Sequence, residues 1–137
     1  MLITKIITTE TAHRLLSHEG KCRYLHGHSY KWEVTIEAGI ERSTGMVMDF
    51  STLKELMIEC IEKPFDHTLV LQENDSLIPA LYNVTKLLVL DGPPTAEVFA
   101  KEVSMEIRKR LPPFFVLECV TVWETETSYA EWRHNDI

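Results

Sequence analysis

The sequence lacks any long apolar run, and it has fewer basic than acidic residues. No stretch approaches the roughly 18 apolar residues of a membrane-spanning helix, and the opening MLITKIITTE has no apolar segment typical of a secretory signal. The 14 basic residues against 21 acidic ones give a net charge of −7, which disfavours general nucleic-acid binding. We therefore expect a soluble cytoplasmic protein with no membrane partner and no nucleic-acid partner.

Cysteine is scarce, and the chain has no repeat, low-complexity tract or linker. Cys22, Cys60 and Cys119 are odd in number and lack the spacing of a disulfide framework, which indicates reduced thiols. The 137 residues are enough for one buried core and too few for two full domains. We expect a single domain over residues 1–137.

Two segments near the N-terminus predict a pair of strands. Residues 2–12 are rich in Ile and Thr, which favour strands. In residues 29–37, apolar and polar side chains alternate with the period of two that is typical of a half-buried antiparallel strand. Extended towards the N-terminus, the apolar parity of this second strand includes His28 and His26.

Two segments with helical periodicity follow. Residues 51–63, with Ser51 as the expected N-cap, and residues 95–111 carry apolar side chains at helical spacing and end at prolines. The short runs LVL and KLLVL between them are candidates for short strands, and FFVLECVTVWET with SYAEWR predicts a hairpin. The order predicts an α+β fold with a four-stranded antiparallel sheet and two helices on one face.

Three histidines have the arrangement of a metal site. His26 and His28 are two residues apart on the second strand, so their side chains point to the same side. His13 ends the first strand, a natural hairpin neighbour, and could supply a third nitrogen. Three imidazoles without a fixed fourth ligand are typical of a catalytic zinc. The alternative is a set of polar loop histidines, because H-x-H pairs often occur by chance.

Cys22 lies four residues before His26, and two roles are open to it. As a fourth ligand, its thiolate would close the site and make the zinc structural. As a free thiolate beside the ion, it would act as a base or nucleophile. The spacing alone fits both roles.

Two further features indicate chemistry. Asp66 precedes His67 in a loop after Pro64, and a histidine oriented by a carboxylate is a proton-transfer unit. The alternative is a solvated pair in a turn. Glu124 ends the apolar run VTVW, where a carboxylate is either a pocket anchor or an ordinary charge at a strand end.

Basic residues concentrate around the histidines. Four of them stand against one acidic residue within residues 14–31, which gives +3 there and leaves −10 for the rest of the −7 chain: Arg14, Lys21, Arg23 and Lys31 against Glu19. Such a patch predicts that a small anionic ligand is guided to the metal. A solvated loop is the alternative.

Six motifs together resemble the 6-pyruvoyltetrahydropterin synthase family, in the family's order and over nearly the whole chain. They are TAH at 11–13, CRYLHGHSY at 22–30, TGMVMDF at 44–50, DHT at 66–68, PTAE at 94–97 and WET at 123–125. Three of these features are similar to the queuosine-pathway branch, the 6-carboxytetrahydropterin synthases: the pattern C-R-x-L-H-G-H-S at 22–29, the long stretch between Asp66-His67 and PTAE, and PTAE itself.

The resemblance implies a role for each motif. Zinc ligands would be His13, His26 and His28; the catalytic groups would be Cys22, its partner His67 with Asp66 behind it, and Glu124. Glu124 would also anchor the pterin ring, with Thr95 and Glu97 along the same substrate pocket. One departure is visible: the family usually has an aromatic residue four positions before the first histidine, where this chain has Thr9.

The resemblance also implies the tunnelling fold, in which the sheets of several subunits join into a barrel. Helices lie outside this barrel, active sites lie between subunits, and a hexamer of two trimers is the expected homo-oligomer. Such pairing would remove the exposed edges that a small sheet otherwise has.

The implied activity is that of a zinc-dependent lyase. It would convert 7,8-dihydroneopterin triphosphate to 6-carboxy-5,6,7,8-tetrahydropterin with release of triphosphate and acetaldehyde, a step in queuosine (7-deazaguanine) biosynthesis. Two alternatives stay open: a 6-pyruvoyltetrahydropterin synthase of biopterin synthesis, and a non-catalytic protein with a closed, structural Cys-His₃ zinc site.

Overall fold

A long antiparallel ladder, β1 (Leu2–His13) with β2 (His26–Glu37), forms the centre of the sheet. In the computed structural model, which describes residues 1–136, the two strands pair from Leu2 opposite Glu37 to His13 opposite His26. Directly opposed residues of an antiparallel pair point to the same face of the sheet. The predicted hairpin neighbours are confirmed, and the ladder carries its histidines at one end.

Four more strands extend the ladder to six. β5 (Val116–Thr125) and β6 (Ser128–Arg133) continue it in antiparallel fashion beyond β2. β3 (Thr68–Gln72) and β4 (Leu87–Leu90) add in parallel beyond β1, in the order β4-β3-β1-β2-β5-β6.

The prediction of a four-stranded antiparallel sheet is therefore right for the four long strands and incomplete for the whole sheet. β3 and β4 coincide with the short apolar runs TLVLQ and LLVL. Short runs of this kind do not alternate, so periodicity alone does not assign them to a sheet or give their direction. Their parallel pairing makes the sheet mixed.

The first predicted helix is interrupted by a wider turn. α1 (Phe50–Met57) continues through a π-helical turn, Ile58–Glu62, into the short α2 (Lys63–Phe65). Its N-cap is Asp49 rather than the expected Ser51, because the Asp49 carboxylate accepts the Ser51 backbone N–H at 2.8 Å.

The second predicted helix lies close to its expected bounds. After the single turn α3 (Ile78–Leu81), helix α4 (Ala96–Arg110) begins behind Thr95, whose hydroxyl accepts the Val98 N–H at 3.3 Å. One face of α4 is buried against the sheet through Ala96, Phe99, Ala100, Val103 and Ile107.

The core lies between these helices and one face of the sheet. Tyr30, Trp32, Val34 and Ile36 of β2 are fully buried on this face, as the alternation predicts. The opposite face of the central ladder is without helices and carries polar residues such as Glu10. Within residues 1–136, no helix combines the length and apolar character needed to cross a membrane.

A buried chain of hydrogen bonds surrounds Thr9, the residue at which the sequence departs from the family pattern. The Trp32 indole donates to Thr9 Oγ1 at 2.9 Å, the Thr9 and Thr11 hydroxyls lie 2.9 Å apart, and Thr11 donates to the Phe65 carbonyl at 2.8 Å. Because the Thr11 proton goes to the carbonyl, the Thr9 proton goes to Thr11. The Trp32 indole and the two threonine hydroxyls thus each donate to an acceptor. This explains how a polar residue is accommodated at position 9.

Replacing Thr9 by Val should destabilise the fold, because it keeps the branched shape but leaves the buried Trp32 indole N–H without an acceptor. We expect a loss of about 1–3 kcal/mol in the free energy of unfolding. The matched control, Thr8→Val on the exposed face of the same strand, should change it by less than about 0.5 kcal/mol. Urea unfolding followed by fluorescence measures both, and equal stability of the two variants would contradict the role of Thr9.

Candidate active site

Three imidazole rings meet at the end of the β1–β2 ladder, on the helix-covered face. His13 is only 1% exposed, and the ligand nitrogens of His13, His26 and His28 lie within 4.8 Å of one another. The ring centroids are 4.6 to 5.2 Å apart. The register produces this cluster, because His13 lies opposite His26 and His28 follows two residues along the same face of β2.

The hydrogen bonds of two rings determine which nitrogens are free. His13 Nδ1 lies 2.6 Å from the Pro94 carbonyl oxygen, and His26 Nδ1 lies 2.7 Å from that of Tyr24. A carbonyl oxygen only accepts, so each Nδ1 carries the proton and each Nε2 keeps its lone pair. The two Nε2 atoms face each other at 3.2 Å. Two lone pairs this close repel each other unless a cation lies between them.

His28 supplies a third free nitrogen. Its Nε2 is buried and has no hydrogen-bond partner, and the nearest carboxylate oxygen, Glu124 Oε1, is 3.9 Å away. Burial lowers the pKa of both His13 and His28 below the ordinary value, which favours the neutral rings that bind metals. Three neutral imidazoles with free, converging nitrogens fit a single metal ion, and this donor set suits zinc.

Tyr30 and Glu124 border the cluster on β2 and β5. The Tyr30 hydroxyl donates to Glu124 Oε2 at 3.3 Å and lies 3.3 Å from His13 Nε2. Burial, and then the charge of Glu124, raise the pKa of Tyr30 well above its ordinary value, so the hydroxyl stays protonated. The sequence interpretation missed Tyr30, although it continues the parity of His26 and His28.

Cys22 lies in a single 3-10 turn, Lys21–Arg23, within the connection between β1 and β2. Its carbonyl accepts the Leu15 N–H at 2.9 Å, which folds the connection back onto the end of β1. Within residues 1–136, the potential metal ligands that lie within 4.8 Å of one another are the nitrogens of His13, His26 and His28, and the Cys22 sulfur is not among them. This geometry favours the open site over a closed Cys-His₃ site.

Asp66 and His67 form a pair that the backbone of Glu10 holds in place. His67 Nδ1 lies 2.9 Å from Asp66 Oδ2, while the Glu10 N–H donates to Asp66 Oδ1 at 2.9 Å and the Glu10 carbonyl accepts the His67 N–H at 2.7 Å. These bonds support His67 at φ 51°, in the left-handed region that few non-glycine residues adopt.

The ring of His67 is 80% exposed and borders a surface pocket together with Glu10, Ser29 and part of His28. Glu10 and Ser29 are hydrogen-bonded to each other on the sheet face opposite the histidine cluster. Within residues 1–136, no hydrogen bond or ion pair joins His67 to Cys22 or to the three histidines. One chain thus brings the predicted metal ligands together with Glu124 but leaves the predicted partner of Cys22 on another surface.

Thr95 and Glu97 lie at the start of α4, which the Pro94 carbonyl connects to His13. The Thr95 hydroxyl serves as the helix cap described above, so it has a structural role of its own. Glu97 is exposed and borders a small surface pocket together with Glu124. The structure therefore brings Glu97 and Glu124 to one pocket.

The basic residues of segment 14–31 divide into two groups. Arg14 Nε donates to Asp75 Oδ2 at 2.7 Å in a two-pronged ion pair with a buried carboxylate. Lys31 Nζ lies 4.0 Å from Glu33 Oε1. Lys21 and Arg23 are exposed and have no ion pair within the described part of the chain. The predicted patch for an anionic ligand is therefore reduced to two residues, one on each side of the cysteine.

Comparison with known proteins agrees with the site. Residues 2–135 match the family described as 6-pyruvoyl tetrahydropterin synthase. A curated relative from Rickettsia bellii, named 6-carboxy-5,6,7,8-tetrahydropterin synthase, is 35% identical over 93% of this chain and 96% of its own length. A Synechocystis relative of the same name is 36% identical over 96% of this chain and 92% of its own.

Solved structures share the fold. An uncharacterized protein from Wolinella succinogenes has a TM-score of 0.83 at 24% identity, with 97% of both chains covered. The 6-pyruvoyl tetrahydropterin synthase of Caenorhabditis elegans has a TM-score of 0.71 at 22% identity, over 97% of this chain and 94% of its own. The predicted tunnelling fold is confirmed.

The curated relatives carry the name of one synthase across several species, at identities from 32% to 37%. They confirm the prediction of an enzyme, a lyase of the 6-carboxytetrahydropterin synthase type. With the match over residues 2–135 and the shared fold, they establish that the chain belongs to the 6-pyruvoyl tetrahydropterin synthase family.

Proposed function

We propose that this single-domain chain is a zinc-dependent lyase of queuosine (7-deazaguanine) biosynthesis in the cytoplasm. With one molecule of water, it would convert 7,8-dihydroneopterin triphosphate to 6-carboxy-5,6,7,8-tetrahydropterin, triphosphate and acetaldehyde. The observation that carries the proposal is the cluster of three free imidazole nitrogens next to Glu124, in a chain whose relatives are named for this product.

Product identification tests the proposal directly. Purified protein loaded with zinc is incubated with 7,8-dihydroneopterin triphosphate, and the products are analysed by mass spectrometry with a separate assay for acetaldehyde. We expect acetaldehyde and a carboxylated tetrahydropterin in equal amounts. Triphosphate release without acetaldehyde would instead identify a 6-pyruvoyltetrahydropterin synthase, and no turnover at all would contradict both enzymes.

The three histidines would hold the zinc through Nε2, because two of their Nδ1 atoms are bonded to carbonyl oxygens. Zinc held there by neutral imidazoles would keep its full charge and would make hydroxyl groups of the substrate more acidic, as it lowers the pKa of water to roughly 7. The carbonyls of Pro94 and Tyr24 orient the rings of His13 and His26, and such partners typically contribute to metal affinity.

Cys22 and the Asp66–His67 pair would move the protons. Cys22 Sγ would remove a proton from the substrate side chain, and Nε2 of His67 would carry the complementary proton. The Glu10 N–H, and next the bond to His67, hold the pKa of Asp66 below its usual value. Asp66 therefore stays ionised and keeps the proton of His67 on Nδ1, which leaves Nε2 free for exchange.

Glu124 would bind the pterin ring. A carboxylate accepts two hydrogen bonds from adjacent N–H groups, and the aminopyrimidine edge of a pterin presents such a pair. Glu124 Oε1 lies 3.9 Å from His28 Nε2 and its side chain is 30% exposed, so a ring bound there extends its substituent towards the metal. Glu97 borders the same pocket as Glu124, and Thr95, two residues before it, would lie along this pocket as well.

The active protein would be a homo-oligomer, a hexamer of two trimers. The histidine cluster and His67 lie on opposite faces of one chain's sheet, so a neighbouring chain would have to supply His67 to Cys22. The edge strands β4 and β6 have a partner on one side only, and pairing such edges between subunits would join the sheets into a barrel.

Mixing two inactive variants should restore activity if the site is shared between chains. Co-expressed Cys22→Ala and His67→Ala chains should recover about a quarter of the sites. An intact site needs one chain that keeps Cys22 beside a neighbour that keeps His67, and each is present about half of the time. The matched control co-expresses Cys22→Ala with His28→Ala. Both residues would be contributed to a site by the same chain, so no site in this mixture would have both, and activity should not return. Activity of the purified mixtures measures this, and equal inactivity of both mixtures would contradict the shared site.

Lys21 and Arg23 should bind the triphosphate group. Changing both to Ala should raise KM for 7,8-dihydroneopterin triphosphate by about tenfold or more, since two charge-assisted contacts are lost. Inhibition by 7,8-dihydroneopterin, which lacks the phosphates, should stay unchanged. The control removes two exposed lysines elsewhere, Lys54→Ala with Lys101→Ala. Equal weakening of both ligands would contradict a phosphate-specific role.

A further inference from the structure

Tyr30 lies at the centre of the candidate site, and none of the proposed steps uses it. Its side chain is fully buried. Its hydroxyl lies 3.3 Å from Glu124 Oε2, 3.3 Å from His13 Nε2 and 3.4 Å from His13 Nδ1. A phenol has one proton to donate, so these three contacts compete for it.

The two nitrogens of His13 are poor acceptors for this proton. Nδ1 already carries a proton that it donates to the Pro94 carbonyl at 2.6 Å. Nε2 points its lone pair at the space between the histidines, where it faces His26 Nε2 at 3.2 Å. Glu124 Oε2 remains, and a carboxylate is a stronger acceptor than a neutral ring. The hydroxyl of Tyr30 therefore bonds to Glu124.

Glu124 lies close to the position that a fourth metal ligand would take. Its Oε1 is 3.9 Å from His28 Nε2, whereas two ligands of a tetrahedral zinc with bonds of about 2.0–2.1 Å are about 3.4 Å apart. Among residues 1–136, Glu124 is the one carboxylate within 4.0 Å of the three imidazole rings, so it is the candidate for a fourth ligand. Within residues 1–136, Tyr30 is the only hydrogen-bond donor to this carboxylate.

We propose that Tyr30 is a positioning residue that orients Glu124 towards the pterin and keeps it off the metal. The fourth coordination position then stays open for the substrate, which a catalytic zinc site requires. The part that concerns the pterin rests on the proposed function. The part that concerns the metal rests only on the three-histidine cluster and its distance to Glu124.

The variant Tyr30→Phe tests the proposal, because it removes the hydroxyl and keeps the buried ring. We expect the dissociation constant for 7,8-dihydroneopterin to rise by about tenfold, the scale of a lost hydrogen bond to a charged group. We also expect tighter zinc binding, by about tenfold in competition with a chelator, because the released carboxylate becomes a ligand. Cobalt substitution gives a visible spectrum that reports the added ligand.

A double-mutant cycle with Glu124→Ala separates positioning from packing. Without the carboxylate, the further change Tyr30→Phe should alter neither pterin binding nor zinc binding. If Tyr30 only filled space, its replacement would have the same effect in both backgrounds, and that result would overturn the proposal. Melting temperatures of the four proteins check that the fold is kept.

The outcomes also separate this proposal from the proposed function. If the wild-type protein does not bind 7,8-dihydroneopterin, the proposed function fails, and the zinc competition alone decides the role of Tyr30. Unchanged zinc affinity in Tyr30→Phe overturns the proposal in either case. Where the wild type does bind the pterin, unchanged pterin affinity in the variant overturns it as well.

Discussion

Replacing Cys22 by Ala should lower turnover by about 10²–10⁴-fold, the usual effect of losing a general base, while zinc stays bound to the chain. The nitrogens of His13, His26 and His28 lie within 4.8 Å of one another, and the Cys22 thiol is not part of this cluster. Removing the sulfur therefore leaves all three metal-binding nitrogens in place, and it leaves Glu124 in place for the pterin. Only the proton transfer is lost.

Three measurements on the Cys22→Ala protein decide the matter: zinc content, melting temperature and turnover. Cys119→Ala is the matched control, because Cys119 is likewise a free, partly buried cysteine and should leave all three unchanged. A structural ligand would give a different pattern, since a closed site contributes its binding energy to folding. Loss of zinc together with a lower melting temperature would therefore refute the assignment of Cys22 as a base.

Replacing His28 by Ala should remove both the metal and the activity. Among residues 1–136, the buried His28 Nε2 has no hydrogen-bond partner, and coordination of a metal ion would satisfy it. Two imidazoles would remain, His13 and His26, with their lone pairs facing each other at 3.2 Å. Two ligands are too few for a catalytic zinc, which usually has three from the protein.

Zinc analysis after dialysis, together with the activity assay, measures this effect. His134→Ala is the control, because His134 is exposed and, within residues 1–136, is hydrogen-bonded through its backbone N–H to Glu118 and not through its ring. The melting temperature of His28→Ala should match that of wild-type protein stripped by a chelator, since both lack the stabilisation that a bound ligand provides. Stoichiometric zinc in His28→Ala would exclude this residue as a ligand.

Much of the central ladder and of the histidine cluster follows from the sequence, because both depend on local periodicity. The alternation along β2 predicts that His26 and His28 share a face, and the hairpin relation of β1 and β2 adds His13 to it. The hairpin of β5 and β6 follows from the same kind of pattern.

The parts that the sequence did not predict depend on contacts between distant segments. Nothing local indicates that Arg14 pairs with Asp75, 61 residues away, and so the basic patch was overestimated. The carbonyl of Pro94 that orients His13 is 81 residues away. The face on which His67 lies depends on where its loop meets Glu10 of β1, which tertiary packing determines.

The bond between His13 and the Pro94 carbonyl links the histidine cluster to the segment that leads into α4. Pro94 lies just before Thr95, the N-cap of α4. Local opening of this helix entry would withdraw the acceptor from His13 and let the ring move its proton to Nε2, where it blocks coordination. Helix ends open far more often than whole domains unfold. The residence time of a bound ion would therefore depend on the breathing of one helix terminus, on a timescale much shorter than that of global unfolding.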